Sequence, residues 1–208
     1  MAYRSRTCAG RGTAAAGANS AGVQPCAGCH PAARIWSVCV TVTMLKVVYR
    51  IASETPAFTA DDLSGGGAAK TGGRWNAVGS PMVYCAASRA LAYLETLAHL
   101  IPGLSPGIKP PRNRCLIEVS VPMVVWDKRH HARKDWKFPG GWDVHPSGKG
   151  SVDYGTAWLA AKTSAVLVVP SVVVPDEDNI LVNPLHPDAK LIKANNTGEW
   201  QFDHRLLP

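Results

Sequence analysis

The sequence predicts an α+β fold, and three observations carry that prediction. Short runs rich in β-branched residues recur along residues 45–183, an amphipathic helical period stands among them, and no unit of about 20–50 residues repeats. The first run, Leu45-Lys46-Val47-Val48-Tyr49-Arg50-Ile51, has strand composition. Residues 59–73 follow as a loop, because Gly65-Gly66-Gly67 and Gly72-Gly73 break any regular period. A strand at 82–86 then leads into a helix over 88–100, with Ser88 as N-cap and Leu91, Leu94, Leu97 and Ala98 on one face. Pro102-Gly103 ends that helix.

The second half is less regular. Residues 114–121 alternate well enough for a strand, whereas 126–150 are crowded with Trp, His, Lys and Arg and broken by Pro139-Gly140-Gly141, the composition of a long surface excursion. Residues 151–162 suit a helix with Val152, Trp158 and Leu159 facing inward. The apolar run 164–169 suits a buried strand, continued by 171–174 beyond Pro170. Asn179-Ile180-Leu181-Val182-Asn183-Pro184 ends the core pattern, and 199–206 supply a last strand.

Composition narrows the class of partner. The 208 residues carry 22 Lys and Arg against 15 Asp and Glu, a net +7, with 46% hydrophobic and only 18% charged residues. A charged fraction this low argues against a disordered chain, and no apolar run approaches the roughly 18 residues of a membrane span. The +7 invites a polyanion, but residues 1–43 hold Arg4, Arg6, Arg11 and Arg34 and no acid, which leaves only +3 on the remainder. Cys8, Cys26, Cys29 and Cys39 also fall there, so with only Cys85 and Cys115 the body reads as a reduced, cytoplasmic protein.

Residues 1–43 are unlike the rest, rich in Ala, Gly and Arg and without a period. Cys26-Ala27-Gly28-Cys29-His30 has the spacing of a c-type haem attachment, yet the chain around Arg4, Arg6 and Arg11 lacks an apolar export segment. Zinc ligation by Cys26, Cys29, His30 and Cys8 or Cys39 lacks paired ligands on both sides. An organelle transit peptide fits the composition as well. The favoured expectation is a leader, disordered or upstream of a true start at Met44, ahead of one domain over 44–208.

Candidate chemistry rests on few side chains. The glycines before Arg74 let backbone N–H groups approach an oxyanion, although neither a P-loop Lys-Ser/Thr nor a Gly-x-Gly-x-x-Gly accompanies them. Arg50 and Arg74 could clamp a diphosphate bidentately; as isolated arginines they equally suit a solvated surface. Glu95 lies among Leu91, Leu94, Leu97 and Leu100, eleven positions after Tyr84. A solvated helix carboxylate is the default there, but beside an aromatic ring and two arginines it would stabilise a positive glycosyl centre or hold a ribose hydroxyl. His130-His131, with Lys128, Arg129, Arg133 and Lys134, reads as a solvated basic loop or as a contact for a partner's acidic groups.

Longer strings are more specific. Gly73-Arg74-Trp75-Asn76-Ala77-Val78-Gly79-Ser80-Pro81-Met82-Val83-Tyr84-Cys85-Ala86, followed by Ala92-Tyr93-Leu94-Glu95-Thr96-Leu97-Ala98-His99, resembles the signature of the RES domain family, named for an Arg, a Glu and a Ser. Val169-Pro170-Ser171-Val172-Val173-Val174-Pro175, then Asn179, Leu181 and Asn183-Pro184-Leu185-His186-Pro187, resembles its closing motif, and Tyr49-Arg50-Ile51 its opening strand.

The resemblance implies a fold similar to mono-ADP-ribosyltransferases, with small mixed β-sheets flanked by helices and NAD+ in the cleft between them. It implies a toxin of a bacterial toxin-antitoxin pair that breaks the nicotinamide-ribose bond of NAD+ by hydrolysis or phosphorolysis. ADP-ribosylation of a protein, or an inactive NAD-binding or partner-binding module, are its alternatives. Carried over residue by residue, the family's Arg, Tyr, Glu and Ser fall on Arg74, Tyr84, Glu95 and Ser171, with Arg50 as the first-strand arginine, and none is substituted. Ser171 would bond the nicotinamide ribose or position Glu95 or Arg74. The implied partner is an Xre-class antitoxin that blocks the site; no metal is expected, no DNA contact except through the antitoxin, and a homo-oligomer stays open.

Overall fold

The structure is a computed structural model that describes residues 44–101 and 111–207. The Cys26–His30 motif and the Pro102-Gly103 helix stop lie outside the described residues. Among the described residues are seven strands and four α-helices: β1 (Leu45–Ser53), α1 (Gly66–Thr71), β2 (Val83–Ala86), α2 (Arg89–Leu100), β3 (Arg114–Pro122), α3 (Met123–Trp126), β4 (His130–His131), α4 (Lys149–Ala161), β5 (Val166–Pro170), β6 (Asp178–Val182) and β7 (Lys193–Glu199).

The strands form one sheet in the order β4-β5-β6-β2-β1-β3-β7, with β4 and β5 parallel and every other pair antiparallel. The α+β class is as expected, and the several small sheets are one sheet with a weak seam. Pairing of β1 with β3 runs unbroken from Leu45↔Pro122 to Ser53↔Arg114, whereas β1 and β2 share the single pair Tyr49↔Ala86.

Both faces of the sheet are covered, which explains why β5 is buried along its whole length. Side chains alternate: Val166 and Val168 join Val48, Ile117, Val119 and Ile180 in one core, while Leu167 and Val169 join Trp75, Met82, Trp158, Leu159 and Leu181 in another. Cys85 and Cys115 are free and buried in the first of these cores.

Several elements differ from expectation, each for a local reason. The glycine-rich stretch contains α1, because Ala68, Ala69 and Lys70 favour a helix and its start is braced: Ser64 N donates to Asp62 Oδ1 and Gly66 N to Ser64 Oγ. Ser88 caps α2 as expected, accepting from Leu91 N at 3.1 Å, but the buried face is Leu91, Ala92 and Leu97; Leu94 is 39% exposed and Ala98 lines a cleft. The supposed surface excursion includes β4, and its Phe138 and Trp142 pack partly buried on Trp75. Residues 171–174 are a turn rather than strand, since Ser171 Oγ accepts from both Val173 N and Val174 N at 3.0 Å. The last strand is β7, ending where the expected one began, and 204–206 form a 3₁₀ turn.

Candidate active site

The sheet parts at its weak seam, and a cleft of about 480 Å³ opens there, a volume suited to a small-molecule site. It is lined by Tyr49, Arg50 and Ile51 of β1, by Tyr84, Cys85 and Ala86 of β2, and by Glu95, Thr96 and His99 of α2. Gly73, Arg74 and Trp75, from the turn after α1, close one side.

Glu95 is fixed at the cleft wall. Its Oε1 accepts from Ser171 Oγ at 2.7 Å and from Asn179 Nδ2 at 2.5 Å, so Oε2 has no hydrogen-bond partner among the described residues. Ser171 is fully buried and does not itself line the cleft. Its hydroxyl donates to Glu95 while accepting from two backbone N–H groups. The hydrophobic wall around α2 thus holds a carboxylate with one oxygen anchored and one presented.

Tyr84 organises the neighbouring turn. Its hydroxyl donates to Asn76 Oδ1 at 2.7 Å and accepts from Trp75 N at 3.1 Å. Burial pushes the hydroxyl up to about 12, against the Trp75 N–H and the Arg74 charge, which pull it down. Gly73 is required by this packing, because a Cβ there would sit 2.6 Å from Tyr84 Oη. Asn76, 1% exposed, donates from Nδ2 to the carbonyls of Ala68, Ala77 and Ser80 and so ties α1, the turn and the segment before β2 together.

The two arginines have different constraints. Arg74 Nη1 donates to the carbonyls of Trp142 at 2.7 Å and Val144 at 2.8 Å, and Arg50 Nη1 to that of Asp62 at 3.3 Å. Neither is paired with a carboxylate among the described residues, so each keeps its positive charge for an anion. Burial pushes the Cys85 thiol up to about 11 despite Arg50, leaving it a neutral wall of the cleft.

The structure therefore brings Arg50, Arg74, Tyr84 and Glu95 to one cleft, with Ser171 behind Glu95. Asn76 and Asn179 received no role from sequence reasoning. For Asn179 the available signal was compositional, since an Asn opening an apolar strand is disfavoured unless its amide is used; Asn76 sits in a turn, where Asn is common, and gave none.

The RES domain family profile matches residues 47–204. This chain belongs to the RES domain family. The RES protein is 48% identical over 164 residues to the Prs ADP-ribosylating toxin of Sphingobium sp. (strain YBL2), covering 79% of this chain and 98% of that one. It is 37% identical to the Toxin Res of Yersinia enterocolitica serotype O:8 / biotype 1B, covering 77% and 99%. Among solved structures, a chain of the M. tuberculosis MbcT-MbcA toxin-antitoxin complex superposes with a TM-score of 0.51 over 74% of this chain and 85% of that one, at 17% identity, which shows a shared fold. The matched relatives are toxins by name.

Proposed function

We propose that the RES protein is the toxin of a bacterial toxin-antitoxin pair and breaks the nicotinamide-ribose bond of NAD+ in the cytoplasm. The observation that carries this reading is a carboxylate, Glu95, held by Ser171 and Asn179 in a cleft that also contains two arginines without an acidic partner among the described residues. The dinucleotide brings two negative charges, which Arg50 and Arg74 would neutralise. As the C–N bond breaks, its electron pair leaves with nicotinamide and positive charge develops on the ribose. The presented Glu95 oxygen stabilises that charge or holds a ribose hydroxyl. Tyr84 supplies an aromatic wall, and nicotinamide, already cationic, leaves without a general acid. An acceptor oxygen then bonds to the ribose carbon and loses its proton.

That acceptor is water or phosphate in the first reading. A second reading, transfer of ADP-ribose to a protein, is favoured by the name of the 48% identical relative, the Prs ADP-ribosylating toxin. Both readings share Glu95 and the bond that breaks. An Xre-class antitoxin that covers the cleft completes the proposal, in keeping with the toxin-antitoxin complex that shares the fold.

Incubation with NAD+ and phosphate, with and without the Prs protein of the same cell, followed by mass analysis of small molecules and protein, separates the outcomes. Nicotinamide release is expected, with ADP-ribose, its phosphate ester or a protein adduct identifying the acceptor. Glu95→Gln keeps the shape and removes the charge, and is expected to lower release by about a hundredfold or more. Undiminished turnover in that variant would sink the assignment.

A further inference from the structure

Arg74 is aimed from outside the cleft. Its guanidinium donates to the carbonyls of Trp142 and Val144, which lie on a strap formed by residues 135–148. The strap is fastened at two levels. Phe138 and Trp142 stack on Trp75 at 5.9 and 6.4 Å, nearly parallel, and Phe138 meets Tyr154 of α4 edge to face at 5.7 Å. Beside these rings, Tyr154 Oη donates to Asp135 Oδ2 at 3.0 Å, and His130 Nε2 lies 3.0 Å from the same oxygen. Asp135 Oδ1 accepts from Lys137 N at 3.0 Å, so this carboxylate ties β4, the strap and α4 at one point. None of His130, Asp135 and Tyr154 lines the cleft.

We propose that Asp135 and Tyr154 are positioning residues for the diphosphate of the substrate: they fix the strap, whose two carbonyls hold Nη1 of Arg74 and so present the rest of the guanidinium to the anion. The inference rests on the NAD+ reading above and adds to it the machinery that orients Arg74. Carbonyl dipoles direct a guanidinium without neutralising it, whereas a carboxylate in their place would cancel the charge the substrate needs. The strap is thus part of substrate recognition.

Tyr154→Phe tests this, because it deletes one hydroxyl and keeps the ring stack. ADP-ribose, which has the diphosphate and lacks nicotinamide, is titrated calorimetrically against the full chain, and NAD+ kinetics are measured in parallel. The variant is expected to weaken ADP-ribose and to raise KM for NAD+ by about three- to tenfold, with kcat changed less than about twofold. A purely structural role would lower the active fraction, hence kcat, and leave KM and the ADP-ribose affinity alone. In an Arg74→Ala background Tyr154→Phe is expected to add nothing further, and Asp135→Asn to repeat the Tyr154→Phe pattern. Unchanged ADP-ribose affinity in Tyr154→Phe, or an undiminished effect without Arg74, overturns the proposal, as does failure of the unmodified protein to bind ADP-ribose. ADP-ribose binding without nicotinamide release would refute the NAD+ reaction while leaving the strap's role standing.

Discussion

Tyr84 holds its proton more tightly in the folded protein than in the unfolded chain. An exposed tyrosine ionises near 10, and burial pushes this one up to about 12. Cys85 beside it moves from 9.0 to about 11 for the same reason, and Tyr154 is also raised, by burial first and then by Asp135. A group whose pKa is raised on folding stabilises fully below its unfolded value, and that contribution is lost as pH climbs through the folded value. Stability is therefore expected to be flat with respect to these groups below about pH 9 and to fall between about 9 and 12. Tyr84→Phe should remove up to about 2 kcal/mol of that loss, at the cost of its two hydrogen bonds at neutral pH. Urea unfolding of both proteins across that window reads the slopes. Equal slopes would mean that Tyr84 is already solvated and that its bonds to Trp75 and Asn76 do not persist in solution.

At the scale of elements, α4 bears on the site through Gly155. A Cβ at that position would lie 2.0 Å from the Trp75 carbonyl oxygen, and the obstacle is backbone. Helix propensity alone favours Gly155→Ala by about 1 kcal/mol, whereas overpacking of this kind costs about 1–3 kcal/mol. The clash is expected to win: the variant should be less stable by about 1–2 kcal/mol and its Trp75 turn displaced, read by urea unfolding and near-UV dichroism. A stabilised variant with unchanged dichroism would show that the contact is loose. The same contact illustrates what a sequence conceals. β1, β2, β3, α2, α4 and β5 were legible because burial stamps a period or an apolar run on each, while β6 was seen only as the end of the core pattern. The face of α2 was misassigned in part because the helix borders a cleft as well as a core: Ala98, expected to be buried, lines the cleft with Glu95, and Leu94 is exposed. The turn at Ser171 was hidden because its valines imitate a strand while the serine hydroxyl captures their N–H groups. Arg50, Arg74, Tyr84 and Glu95 were reached through a family signature, and only coordinates could bring Asn179 to Glu95 across 84 residues.

For the whole molecule, the distribution of charge and of homology points to the same boundary. Four of the seven net positive charges lie in residues 1–43, a segment outside both the family match at 47–204 and the described strands. The alignment with the Sphingobium toxin spans 164 residues and 98% of that protein. Among the described residues, the cleft and both cores are lined from β1 onward. We therefore propose that residues 44–208 fold and act alone. A protein of that span is expected to unfold in one cooperative transition and to release nicotinamide within about twofold of the full chain's rate, since no cleft residue is removed. Its net charge of +3 should also leave substrate KM less sensitive to salt than a polyanion site would be, because only Arg50 and Arg74 face the diphosphate. Loss of the cooperative transition on truncation, measured by urea unfolding beside the full chain, would place residues 1–43 in the folding unit and move the domain boundary towards the N-terminus.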